Sequence, residues 1–145
     1  MPLPRRLCII AVLAVIASSA FTSAQAQGVT RTFQVSAGGS TSWTIDGQSN
    51  PPLTLQRGST YVFHLNNVSA IHPFNINTMN APGPNFLYNN GVTNNNATGT
   101  IDITFVVPAD APNSLHYNCE NHVGMNGPIT ITAPDRIFVH GFENA

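Results

Sequence analysis

Punctuation restricts this chain's fold more than any other feature. Beyond residue 27, Gly, Pro, Asn, Ser and Thr interrupt every apolar run, so no stretch can sustain a helix of useful length. Between the breaks the sequence alternates. Phe33 and Val35 stand between polar neighbours, as do Trp43 and Ile45. Tyr61, Phe63 and Leu65 form one face of a strand, with Val62 and His64 on the other. Ile101, Ile103 and Phe105 alternate with Thr100, Asp102 and Thr104; Leu115, Tyr117 and Cys119 make a further face, and Ile129 with Ile131 the last. Turn signals separate these runs at Gly38-Gly39, Asp46-Gly47, Asn50-Pro51-Pro52, Arg57-Gly58, Asn90-Gly91 and Pro108 to Pro112. Many short, regularly punctuated strands predict an all-β antiparallel sandwich. Met79 to Gly99, rich in Asn, Gly and Pro, is expected to leave the sandwich as a long loop with room for one short helical turn.

Three segments are expected. Residues 1–26 read as a secretory leader: Arg5 and Arg6 open it, an apolar run follows from Leu7 to Ala17, and Ala24-Gln25-Ala26 offers a small-x-small cleavage site. The apolar run is short for a bilayer span, so no membrane span is expected in the mature chain. Residues 27–134 form the domain, and 135–145 a C-terminal tail carrying Ile137, Phe138, Val139 and Phe142. The tail is similar to short Gly-Phe-Glu termini of some exported bacterial proteins, and is expected either to pack on the domain or to serve in sorting. The leader implies a periplasmic or secreted protein. Past it, only Arg31, Arg57 and Arg136 are basic, and the chain has no lysine. Three scattered arginines assemble neither a nucleic-acid surface nor a polybasic membrane contact.

The segment after the leader contains a single cysteine, Cys119. It cannot form an internal disulfide, and a lone thiol in an oxidising compartment calls for burial or ligation. Around it runs Tyr117-Asn118-Cys119-Glu120-Asn121-His122-Val123-Gly124-Met125-Asn126-Gly127, with a thiol, an imidazole and a thioether at successive intervals of three. A strand delivers Cys119, and a tight loop can wrap the three side chains around one point. A second imidazole must come from elsewhere; His72, in Ile71-His72-Pro73-Phe74, follows a strongly patterned strand. One thiolate, two neutral imidazoles and a weak axial thioether make the trigonal site of blue copper.

The Cys119-x-x-His122-x-x-Met125-x-Gly127 loop before Ile129-Thr130-Ile131 resembles the copper loop of small cupredoxins, the plastocyanin- and amicyanin-like blue copper proteins; its spacing is most like the short-loop amicyanin type. Upstream, Leu55-x-x-Gly58-x-x-Tyr61-x-Phe63-x-x-Asn66 followed by His72 and Phe74 also resembles that family. The resemblance covers roughly Phe33 to Thr132. It implies an eight-stranded Greek-key sandwich with one copper ion at one end, ligated by His72, Cys119, His122 and Met125. It departs at Pro73. Many cupredoxins have there a residue whose backbone N–H reaches the cysteine sulfur, and proline has none. Multicopper oxidases also carry proline at that place, so copper is not excluded.

The resemblance implies a one-electron carrier, monomeric, docking a transient redox partner protein through apolar residues around His122 (Pro73, Val123 and Pro128), and not an enzyme. A copper chaperone, scavenger or storage module would share every ligand. Zinc could take the cysteine and histidines but would leave the thioether unused. Met125 could serve as a core or lid residue instead of an axial ligand. His116 is out of phase with Cys119. His64 is expected on the sandwich exterior and His140 in solvent, and Met79 near the copper end as apolar surface. Cys119 and His122 lack a third group to make a nucleophile–base pair, and the His-x-His pairs of a trinuclear copper cluster are missing.

Overall fold

Alternating side chains give each strand one apolar face, and two sheets bury those faces against each other. The computed structural model describes residues 29–134. The expected leader and the 135–145 tail lie outside the described residues. The strands are β1 (Val29–Gly38), β2 (Ser42–Ile45), β3 (Gln48–Ser49), β4 (Leu53–Gln56), β5 (Thr60–Val68), β6 (Phe74–Asn77), β7 (Val92–Thr93), β8 (Gly99–Val106), β9 (Ser114–Cys119) and β10 (Asn126–Thr132), with one 3₁₀ turn at Pro84–Phe86. One sheet runs β3-β2-β1-β5-β8-β7 and the other β4-β10-β9-β6. Only β3 and β7 are two residues long; the remaining strands are the eight that the family resemblance implies. Among the described residues no helix is long and apolar enough to cross a membrane.

The β2–β3 hairpin turns on Asp46 and Gly47, both at positive φ (49° and 81°), the two-residue turn whose twist matches its strands. The strand pairing is not purely antiparallel, which corrects the sequence expectation. β1 runs parallel to β5, with Phe33 opposite Phe63, and β4 parallel to β10, with Leu55 opposite Ile131. Parallel neighbours need a crossover. Here the connecting chain crosses through the opposite sheet: β4 belongs to one layer and β5 to the other. Alternation reports which face of a strand is buried and is silent on its neighbour's direction.

The core is built as the alternation predicts. Phe33, Val35, Trp43, Ile45, Phe63, Leu65, Ile103 and Phe105 face Leu55, Phe74, Ile76, Leu115, Tyr117, Ile129 and Ile131, all buried. Phe74 is its hub, with ring centroids 4.9 Å from Trp43, 5.4 Å from Phe63 and 5.8 Å from Tyr117. Ile101 departs from the expected pattern and is exposed. It pairs with Leu65 where the β5–β8 register breaks, and a bulge re-aims side chains. The excursion from Met79 contains the expected short helical turn, and also β7, which the sequence did not suggest.

Tyr117 carries a pH prediction. Its hydroxyl donates to the Pro51 carbonyl at 2.7 Å, and burial pushes the phenol above its ordinary 10.0. A group whose folded-state pKa is raised contributes stability that is intact below the unfolded value and lost as pH rises past it. The chain has no lysine to titrate there. The urea midpoint should therefore hold up to about pH 10 and fall above it, and the fall should be smaller in Tyr117→Phe. Equal slopes in the two proteins would remove Tyr117 as the cause.

Candidate metal centre

Two chain segments meet at one end of the sandwich. β6 lies antiparallel to β9, with Phe74 opposite Cys119, so His72, two residues before Phe74, arrives beside the end of β9. β9 and β10 are also antiparallel, with Asn118 opposite Asn126, so the intervening residues form a closed loop. Within it the Cys119 N–H donates to the Met125 carbonyl at 2.8 Å, and the Met125 N–H to the His122 carbonyl at 3.1 Å. These bonds turn His122 back toward Cys119. The Glu120 N–H donates to the Pro73 carbonyl at 3.1 Å and the Asn121 side-chain amide to the Ile71 carbonyl at 2.9 Å, tying the two segments together.

The result is a triangle of donor atoms. His72 Nδ1 and His122 Nδ1 lie 3.1 Å apart, with Cys119 Sγ 3.5 Å from His122 Nδ1 and 3.8 Å from His72 Nδ1. All three atoms fall within 4.8 Å of one another. A point in that plane is about 2 Å from each corner, close to metal–imidazole bond length and slightly under metal–thiolate length. Cys119 and His72 are buried and His122 is half-buried. Burial, and after it the neighbouring His122, push the His72 imidazole below its ordinary 6.5. It is therefore the neutral, ligating form near pH 7. A thiol and two imidazoles presented by Nδ1 atoms fit a borderline-soft ion such as copper. Met125 is fully buried and bonded to the same loop through its backbone.

The remaining histidines stand apart. His64 Nδ1 sits 2.6 Å from Asp102 on the outer face of its sheet. His116 faces away from Cys119, opposite Asn77. His140 lies outside the described residues. Met79 is exposed, and Pro128 is exposed on β10 opposite His116.

Two supporting residues escaped the sequence reading. The Asn121 N–H points at Cys119 Sγ at 3.5 Å. Asn50 accepts from the Trp43 N–H at 2.8 Å and donates to the Gly124 carbonyl at 2.9 Å, which holds the loop to the other sheet. Asn50 reads from sequence as a turn residue, and its φ of 44° fits that role; nothing in its neighbours signals the long-range bond.

A two-sheet sandwich with a Cys-His loop and an upstream histidine at one end defines the cupredoxin architecture. Comparison with solved structures agrees on the fold. A rusticyanin variant with methionine replaced by glutamine matches at TM-score 0.50 and 19% identity, covering 70% of this chain and 76% of its own. A histidine-to-methionine variant of rusticyanin matches at 0.50 and 20%, with the same coverage. Auracyanin B superposes at 0.44 and 18%, covering 73% of this chain and 91% of its own. No protein-family model and no curated protein matches the sequence.

Proposed function

We propose that the protein binds one copper ion through His72, Cys119 and His122, with Met125 as a fourth, weaker donor, and serves as an exported one-electron carrier. The observation that carries this reading is the donor triangle, whose edges of 3.1 to 3.8 Å join one sulfur and two imidazole nitrogens. Bound copper would supply a Cu(I)/Cu(II) couple. The chain's own part is to hold a soft thiolate and two imidazoles in one buried place, donors that suit both Cu(I) and Cu(II). Residues 1–26 would direct export to the periplasm or medium, and 27–134 would be the working domain. Val123, 70% exposed beside His122, and Ile71, 58% exposed beside His72, would offer a small apolar docking surface to a transient redox partner, together with half-buried Pro73. Rusticyanin, whose fold it shares, is described as a copper protein.

The decisive experiment adds Cu(II) to the metal-free protein and records the visible spectrum. An intense blue charge-transfer band is expected. Weak absorption typical of ordinary Cu(II) would overturn the type 1 site and return zinc and scavenging to the front. Reversible voltammetry with fast electron exchange would then separate a carrier from a chaperone or store.

Pro73 sets a second prediction. Cys119 Sγ faces the Asn121 N–H, and Pro73 has no N–H to add. Electron density left on the sulfur favours Cu(II) and lowers the potential. Pro73→Asn should raise it. One hydrogen bond is worth about 1 kcal/mol, or roughly 40 mV for a one-electron couple. An unchanged or lower midpoint potential by voltammetry would sink the idea.

A further inference from the structure

The outer face of the β6–β9 pair is polar and yet buried. Asn75 and Asn118 are directly opposed across the two strands, as are Asn77 and His116. Directly opposed residues share a face, so these four side chains form one patch. Phe74 and Ile76 of β6 and Tyr117 of β9 point the other way, into the core. Asn75 and Asn77 are 0% exposed and Asn118 is 2% exposed. The segment just after β6 lies over Asn77 and Asn118. Asn77 Nδ2 donates to the Ala81 carbonyl at 3.0 Å, Asn118 Nδ2 to Asn80 Oδ1 at 2.9 Å, and the Gly83 N–H to the Glu120 carbonyl at 2.9 Å.

These bonds use donors and leave acceptors behind. Asn77 Oδ1, Asn118 Oδ1, His116 Nδ1, and both Oδ1 and Nδ2 of Asn75 are buried with no hydrogen-bond partner in the protein. Left dry, each would lose its hydration with nothing in return, and a marginally stable domain does not carry so many. No carboxylate belongs to the patch. A bare divalent cation would therefore be stripped of water without charge compensation. A neutral guest rich in donors is what the patch selects.

We propose that this patch is a buried hydration site holding two water molecules, which bridge β6 to the strand that carries Cys119 beneath the covering segment. The stoichiometry follows from the inventory. Two waters bring four O–H donors, which match three amide oxygens and one imidazole nitrogen. Their lone pairs accept the Asn75 amide hydrogens. Each water then makes about three bonds, as buried waters do. His116 would hold its proton on Nε2, leaving Nδ1 as an acceptor.

The site is independent of any metal, so its test stands apart from the copper reading. In water-edited NMR of the metal-free protein, the Asn75 and Asn118 side-chain amides should show cross-peaks to water with the sign of long residence. Absence of these cross-peaks would overturn the proposal, and this measurement needs no variant. Asn75→Leu supplies an independent sign. If the patch is hydrated, leucine expels water and strands the remaining acceptors, and Tm should fall by about 4 °C or more. If the patch is dry, leucine removes an unsatisfied amide, and Tm should rise, which counts against the proposal.

Discussion

Replacing Cys119 with serine is expected to abolish the blue band of the copper-loaded protein while leaving the fold intact. Cys119 is fully buried, and its sulfur is the corner of the donor triangle that lies within 4 Å of both imidazoles. A charge-transfer band of that strength requires a thiolate as electron donor to the metal, and a serine hydroxyl stays protonated and hard at neutral pH. His72 and His122 remain, so Cu(II) would still bind, more weakly and with only the faint colour of nitrogen and oxygen ligation. The backbone bonds that shape the loop, Cys119 N–H to Met125 O and Met125 N–H to His122 O, do not involve the sulfur. Thermal unfolding of the metal-free variant should thus stay near that of the parent, since the swap is close to isosteric. Visible absorption of both proteins after Cu(II) titration checks the claim. A serine variant that keeps an intense band would show that the sulfur is not a ligand.

Much of this site was legible in sequence because it is local. Cys119 and His122 sit at one hairpin loop, and a tight loop brings residues three apart around a common point whatever the rest of the fold does. His72 was less legible. Its place beside Cys119 depends on the β6–β9 pairing, a contact 47 residues apart. The core was readable for a similar reason: Phe33, Val35, Trp43, Ile45, Phe63 and Leu65 announce their buried face by period-two alternation alone. That signal is blind to partner and direction, so the parallel β1–β5 and β4–β10 pairs could not be foreseen. It is blind to bulges too, and Ile101 was assigned to a buried face that the register break turns outward. The asparagines were the least readable. Asn50, Asn75, Asn77 and Asn118 look like the other turn-forming asparagines of this chain. Whether one ends in a turn, a brace or a buried patch is decided by which segment later covers it.

The largest stability effect is expected at Gly127. This residue directly faces Tyr117 across β9 and β10, and a Cβ there would overlap the Tyr117 hydroxyl and ring. The missing side chain is what lets the ring lie across β10. Tyr117 has nowhere to go: it is fully buried, its ring stacks on Phe74 at an interplanar angle of 8°, and its hydroxyl is held by the Pro51 carbonyl. Gly127→Ala must displace β10 or tear the tyrosine from both partners. Overpacking of this kind costs about 1–3 kcal/mol, and the clash with a doubly fixed ring places this case at the upper end. At about 4–8 °C per kcal/mol for a domain near this size, Tm should drop by more than 10 °C. The cause can be isolated. In a Tyr117→Val background the ring is gone, and adding Gly127→Ala should cost under about 1 kcal/mol, giving a coupling of roughly 2 kcal/mol. Equal penalties in the two backgrounds would mean that the strand, not the ring, demands glycine. The same displacement would shift Met125 and His122, which lie just before Gly127 on the loop. The alanine variant should therefore also bind copper more weakly than Tyr117→Val with Gly127 intact.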